Sequence, residues 1–403
     1  MKKFIIILTA VLCLFASAAT VGAAEQKIAT EYYSDDLFDG VAAPAMTLLD
    51  GNLDIGAASA VLIEPKTGTV LYEKDSDVQL APASITKIMS LLLVMEAIEE
   101  GKLTLETEIT AGEHACSMGG SQIWLEPGEK MTVDELLKAV VIASANDATV
   151  ALGEAISGSE QAFVELMNER AEQLSMTGTH FLNCTGLDAD GHVTTAYDVA
   201  VMSCELIKHR LITKYSTVWM DTLRGGESQL VNTNKLVRFY DGCIGLKTGT
   251  TSKAGYCLSA AAERDGMTLI AVVMNGDDSN ARFAAARAML DFGFANYSFL
   301  EIESELEENT FVKIKGGERS SAKVEAEETL SVLCRKGSPE VTRQVFLEDT
   351  LKAPVNKGDT VGKIMVSVDG EEVGAIPIKA AEKVKKRSIL TVYGWLIRGI
   401  VSF

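Results

Sequence analysis

The chain has 403 residues, 47% hydrophobic and 23% charged, a globular balance that excludes wholesale disorder and leaves room for two or three domains. Its 37 basic and 56 acidic residues give a net charge of −19, which excludes a nucleic-acid binder relying on a basic face. The charge is uneven: from Lys379 to Phe403, six basic residues meet one acid.

Lys2 and Lys3 precede an apolar run, Phe4 to Phe15, then small residues and a Val21-Gly22-Ala23-Ala24 cleavage pattern. Residues 1–24 therefore read as a signal peptide, and export is expected. The run falls short of the ~20 residues of a membrane span. Beyond it lie Cys116, Cys184, Cys204, Cys243, Cys257 and Cys334, irregularly spaced and without a CxxC pair. A chain this long buries a core without cross-links, so free thiols are expected.

Ala57 to Ile63 and Val70 to Tyr72 read as a hairpin turning at Pro65-Lys66-Thr67-Gly68. Ile85 to Glu100 reads as a long apolar helix closed by Gly101. Thr132-Val133-Asp134-Glu135 is a capping box opening a helix to about Ala143. Ser144-Ala145-Asn146-Asp147 interrupts it, a second helix runs to Ile156, and a third covers Glu160 to Leu174. Cys243 to Thr250 reads as a strand, followed by a hairpin of Gly255 to Glu263 and Met267 to Met274. Ser279 is expected to cap a helix through about Asn296.

From Ser298 to Ile378 short alternating runs replace helical periodicity, which predicts a small all-β domain. In Ile389 to Phe403, Thr391, Gly394, Arg398 and Ser402 fall on one narrow helical stripe in an otherwise apolar segment. With the basic run before it, 381–403 reads as an amphipathic helix lying in the headgroup layer of an anionic membrane. Docking on the protein's own core is the alternative.

Motifs for a nucleophile-elbow hydrolase (GxSxG), a zincin (HExxH) and a P-loop enzyme do not occur. Ser84-Ile85-Thr86-Lys87 does, and one helical turn puts a weak nucleophile beside an amine that burial can turn into its base. Ser144-Ala145-Asn146 offers a hydroxyl and an amide from an inter-helix loop, although a helix stop followed by an N-cap would look the same. Lys247-Thr248-Gly249, with Thr250 next, offers a cation and a hydroxyl for a carboxylate, and Gly249 permits close backbone approach. Ser320-Ser321-Ala322-Lys323 and Lys66-Thr67-Gly68 repeat two of these patterns, in the β-rich region and in a hairpin turn, and are read as surface. His180, Cys184, Asp188 and His192 have metal-ligand chemistry, but Gly186 and Gly191 break the stretch and a calcium loop's later ligands are lacking. No metal and no cofactor is expected.

The three motifs, in this order, resemble the Ser-x-x-Lys, Ser-x-Asn, Lys-Thr-Gly set of penicillin-binding proteins and serine β-lactamases. Ala81 to Lys87, Asn183 to His192 and Gly245 to Thr251 further resemble low-molecular-weight D-alanyl-D-alanine carboxypeptidases, over nearly the whole chain. The resemblance implies an α/β fold of the penicillin-binding/β-lactamase-like transpeptidase type, an antiparallel sheet flanked by helices with a helical subdomain, plus a small all-β C-terminal domain. It implies a signal peptide (1–24), a peptidase domain (25–297), a β-sandwich (298–380) and a membrane anchor (381–403).

It also implies roles. Ser84 is the nucleophile, Lys87 its base and Ser144 the proton relay. Asn146 holds the substrate amide, and Lys247 and Thr248 bind the terminal carboxylate. The N–H groups of Ser84 and Thr250 form the oxyanion hole, and Gly249 and Thr250 count with the substrate-binding residues. The expected partners are peptidoglycan stem peptides, β-lactams as inhibitors, and the outer face of the cytoplasmic membrane. A class A β-lactamase is disfavoured because Ala145 stands where those enzymes carry Asp, and because Glu165 and Asn168 have the wrong spacing for a deacylating pair. A DD-endopeptidase and a non-catalytic wall-binding protein remain as alternatives.

Overall fold

The structure, a computed structural model, describes residues 53, 55–307, 309–326, 329–337 and 339–388. The expected signal peptide and the apolar stretch 389–403 lie outside the described residues.

Five antiparallel strands form the central sheet: β1 (Ala57–Glu64), β2 (Thr69–Lys74), β3 (Cys243–Thr251), β4 (Gly255–Arg264) and β5 (Met267–Gly276), in the order β2-β1-β5-β4-β3. The middle strands are buried along most of their length, so their sequences are near-continuous apolar runs. The motif-bearing strand β3 is an edge of the sheet.

The helices that matter for the site are α1 (Lys87–Glu99), α2 (Val133–Ala143), α3 (Asn146–Ser157), α4 (Glu160–Gln173), α5 (Ala196–Lys208) and α6 (Ser279–Asn296). Helix α6 packs on β1, β4 and β5, while α5 packs on β1, β5 and α1. Helix α1 is buried on nearly all sides, from Ile88 to Ala97, which is why its sequence is apolar all round. The capping box at Thr132 is present, with both reciprocal hydrogen bonds.

Several expectations are corrected. The α-helix expected to start at Ile85 starts at Lys87, and Ser84 sits in a 3₁₀ turn, Ala83–Thr86, that feeds it. The cap of α6 is Asp278, whose carboxylate accepts the N–H groups of Asn280 and Ala281; Ser279 is already inside the helix. An aspartate satisfies two orphan donors where a serine satisfies one. Residues 381–388, expected as the start of a helix, run extended, with bridges Val355–Val384 and Gly317–Lys386.

A second core gathers Ile302, Val312, Val324, Ile364, Val366, Ile376 and Ile378. Around it lie β6 (Tyr297–Glu303), β7 (Phe311–Lys315), β8 (Ser321–Ala326), β9 (Thr329–Arg335), β10 (Val341–Leu347), β11 (Thr350–Lys352), β12 (Thr360–Val368) and β13 (Glu371–Ala380). They form a six-stranded sheet, β10-β12-β13-β8-β7-β11, and a β6-β9 pair. Buried and exposed residues alternate along β7, β8 and β12, the signature of strands with one face inward.

Candidate active site

The turn that carries Ser84 has an unusual backbone. Ala83 has φ of 49°, in the left-handed region, while Ala83, Ile85 and Thr86 are buried and Ser84 alone in the turn is partly exposed. Two glycines let other elements close on this turn. A β-carbon on Gly186, itself at φ +86°, would sit 1.8 Å from the Ala83 carbonyl oxygen. One on Gly249 would sit 2.9 Å from the Ser84 nitrogen. Strand β3 therefore touches the turn backbone to backbone, as the glycine in the third motif permits.

Lys87 Nζ donates to Ser84 Oγ at 3.0 Å and to the Thr185 carbonyl at 2.6 Å. Its side chain is fully buried, and burial pulls the ammonium down to about 7, against the opposing pull of the Asp147 carboxylate. At neutral pH much of it is therefore free amine, able to take a proton from the hydroxyl it touches.

Helix α2 ends at Ser144, which takes the left-handed conformation at φ 62°; Ala145 is extended, and α3 begins at Asn146. Asn146 Nδ2 donates to the Gly119 carbonyl at 2.6 Å, while its Oδ1 is buried without a protein partner. A buried unpaired acceptor is costly, and a substrate N–H would satisfy it. The neighbouring Asp147 carboxylate accepts the N–H groups of Ile123, Leu125 and Ala148, which ties loop 119–125 to the Ser-x-Asn corner. Arg224 fixes the same loop from outside, donating to the Ile123 carbonyl while paired with Glu129.

On β3, Lys247 and Thr248 are buried and Thr250 is exposed. Burial drives the Lys247 ammonium well below its usual range, helped by the cations of Lys87 and Arg282. Arg282, from α6, donates to the Gly249 carbonyl at 3.0 Å and to Thr250 Oγ1 at 2.9 Å. Thr248 Oγ1 donates to Thr233 Oγ1 at 2.6 Å. The Asp147 carboxylate beside the second motif acts on Lys87, and Lys87 in turn acts on Lys247. No hydrogen bond links Ser144 to Ser84 or Lys87 among the described residues.

The look-alike motifs fall elsewhere. Ser321 to Lys323 lie in β8, and Thr67 is bonded to Glu64 in the β1–β2 turn. The four candidate metal ligands have other partners: His192 meets Thr86, Cys184 meets Glu160, and Asp188 accepts from Thr251. His180 bridges backbone to backbone with Val193. Asn168 holds Phe181, accepting its N–H and donating to its carbonyl, and also donates to the Val164 carbonyl. All six described cysteines are free. Thr185, Arg282, Thr233, Asp147 and Arg224 were not singled out by sequence; only the aspartate, next to Asn146, carried a local cue.

The family model described as D-alanyl-D-alanine carboxypeptidase matches residues 45–278, and that for the penicillin-binding protein 5 C-terminal domain matches 304–386. The D-alanyl-D-alanine carboxypeptidase DacF of Bacillus subtilis is 44% identical over 340 residues, covering 83% of this chain and 87% of that protein. The crystal structure of penicillin-binding protein 5 from Haemophilus influenzae superposes with a TM-score of 0.72 at 30% identity, over 83% of this chain and 99% of that one. Penicillin-binding protein D2 from Listeria monocytogenes, solved in an ampicillin-bound form, gives 0.55 at 31% identity over 60% of this chain and 99% of its own. With its serine–lysine pair and its β-rich C-terminal domain, the chain belongs to the D-alanyl-D-alanine carboxypeptidase family of low-molecular-weight penicillin-binding proteins.

Proposed function

We propose that the protein removes the terminal D-alanine from peptidoglycan stem pentapeptides through an acyl-enzyme on Ser84. The observation that carries this reading is the Ser84–Lys87 contact of 3.0 Å, with the lysine buried and its pKa near 7. Lys87 takes the Ser84 hydroxyl proton as Oγ attacks the carbonyl carbon of the penultimate D-alanine. The N–H groups of Ser84 and Thr250 stabilise the resulting oxyanion. As the C–N bond breaks, the proton held by Lys87 is relayed through the Ser144 hydroxyl to the departing amine, and D-alanine leaves. Asn146 Oδ1 takes a substrate N–H, and Lys247 and Thr248 hold the terminal carboxylate, with Gly249 keeping that strand against the nucleophile turn. Water then cleaves the ester and restores Ser84. A β-lactam opens on the same serine and is released slowly.

D-alanine release from diacetyl-Lys-D-Ala-D-Ala, measured for wild type and Ser84→Ala together, tests the reading. Release that vanishes in the variant supports it. No release from wild type with fast penicillin hydrolysis favours a β-lactamase, and inactivity in both assays favours a wall-binding protein. Export on residues 1–24 and attachment to the outer face of the cytoplasmic membrane through 389–403 complete the proposal, supported by the charge and apolar pattern of those segments. Deleting 389–403 is expected to move the protein from the membrane fraction to the soluble fraction; unchanged partitioning refutes the anchor.

A further inference from the structure

Loop 180–192 carries a buried imidazole that the reaction scheme above leaves unused. His192 is 2% exposed. Its Nδ1 faces the Leu182 N–H at 2.9 Å, and a backbone N–H can only donate. The proton of the neutral ring is therefore on Nε2, which lies 2.9 Å from Thr86 Oγ1. Thr86 closes the 3₁₀ turn that presents Ser84 and immediately precedes Lys87. The same loop gives Lys87 the Thr185 carbonyl and presses Gly186 against Ala83.

This turn needs an external hold. Ala83 is in a left-handed conformation that residues with a β-carbon adopt at a cost, and the turn has no side-chain cap at Pro82. The ring's donor and acceptor are each matched to one partner, one in the loop and one in the turn. Burial, with His180 beside the ring, pulls the imidazole down to about 4 against the smaller opposing effect of Asp188. The ring is therefore neutral at pH 7, as this arrangement requires. A protonated ring would point a second N–H at the Leu182 N–H and lose that partner.

We propose that His192 is a positioning residue for acyl transfer: as the Nε2–H tautomer it clamps Thr86 to loop 180–192 and keeps the strained turn in the geometry that aims Ser84. Its loss is felt in the chemical step and not in the initial encounter with the substrate.

The inference rests on the acyl-enzyme reading of Ser84, which wild-type acylation and its loss in Ser84→Ala test separately. The deciding experiment is the kinetics of penicillin acylation in His192→Phe, Thr86→Val, the double variant and His192→Gln. His192→Phe and Thr86→Val are each expected to slow the first-order acylation constant about tenfold, as for one buried hydrogen bond. The initial dissociation constant should stay within about twofold. The double variant should be no slower than the slower single one, because both remove the same bond. His192→Gln, whose amide can accept from Leu182 and donate to Thr86, should recover most of the rate. A folded single variant that acylates at the wild-type rate overturns the proposal, as does a double variant in which the two losses multiply. If His192→Phe fails to fold, Thr86→Val decides, since it keeps the side-chain shape and removes only the hydroxyl.

Discussion

The substitution Gly249→Ala isolates the contact on which the whole site depends. An added β-carbon would meet the Ser84 nitrogen at 2.9 Å, the Ala83 β-carbon at 3.0 Å and the Ile85 nitrogen at 3.0 Å. Ordinary contact needs about 3.5–4.0 Å, so strand and turn must separate by about 0.5–1 Å. Gly249 is not among the positive-φ glycines, so no backbone penalty confuses the outcome. Overpacking of this kind costs about 1–3 kcal/mol, which a domain with about 5–15 kcal/mol of stability survives. Catalysis should suffer more. In the proposed mechanism the turn bears the nucleophile and β3 the other oxyanion donor, and a misplacement of about 1 Å can cost about a hundredfold. Labelling by a fluorescent penicillin and release of D-alanine should therefore fall together by about two orders of magnitude, with a melting temperature lower by about 2–10 °C. A folded variant acylating within about threefold of wild type would show that the strand–turn contact does not set the geometry of attack.

Two predictions concern protons. In the proposed mechanism Lys87 acts as base only when deprotonated, and its pKa is lowered to about 7, so acylation should rise about tenfold between pH 6 and pH 8 and then level off; a flat profile over that range would remove Lys87 as the base. His192 is lowered in the folded protein from 6.5 to about 4 by burial. The unfolded chain thus binds more protons between those values, and stability is fully present above pH 6.5 and drains away as the pH falls toward 4, by up to about 3 kcal/mol. Urea unfolding at pH 7 and pH 4.5 should show a smaller pH dependence in His192→Gln than in wild type; equal dependence would assign the acid sensitivity to other groups.

What the sequence made legible was local. The capping box at Thr132, the β4–β5 hairpin and the alternating strands of the second domain depend on neighbours a few residues apart, and the expected spans lie close to the observed ones. The three motifs were legible because short spacing fixes their chemistry. What failed depended on distant partners. Ser84 was placed at the very start of an α-helix expected from Ile85, because nothing near it forbids one; the 3₁₀ turn is where Gly186 and Gly249 close in from over 100 residues away. Helix α5, AYDVAVMSCELIK, went unread because its Val, Ser and Cys residues are weak helix formers, and burial against α1 and the sheet sustains it. Arg282, Thr233 and Thr185 reach the site through contacts with no sequence pattern, and Thr185 contributes only its backbone carbonyl.

The charges round the site explain why a free carboxylate terminus should matter to this enzyme. Lys87, Lys247 and Arg282 are all buried, and their hydrogen bonds go to neutral oxygens: Ser84 and Thr185 for the first, Thr248 for the second, Gly249, Thr250 and Cys257 for the third. Burial, and then the charges of Lys87 and Arg282, hold the ammonium of Lys247 well below its usual range. A substrate carboxylate beside Lys247 and Thr248 supplies a counter-charge to the buried ammonium, and so restores proton affinity to Lys247. Binding of diacetyl-Lys-D-Ala-D-Ala to Ser84→Ala should therefore take up protons, seen by calorimetry in buffers of different ionisation enthalpy. The same peptide with an amidated C-terminus should bind at least about tenfold more weakly, as expected when a buried charge loses its partner, and without proton uptake. Equal affinity for acid and amide would mean that the buried cations do not read the terminus, and the preference for terminal over internal D-alanine would then need a steric origin.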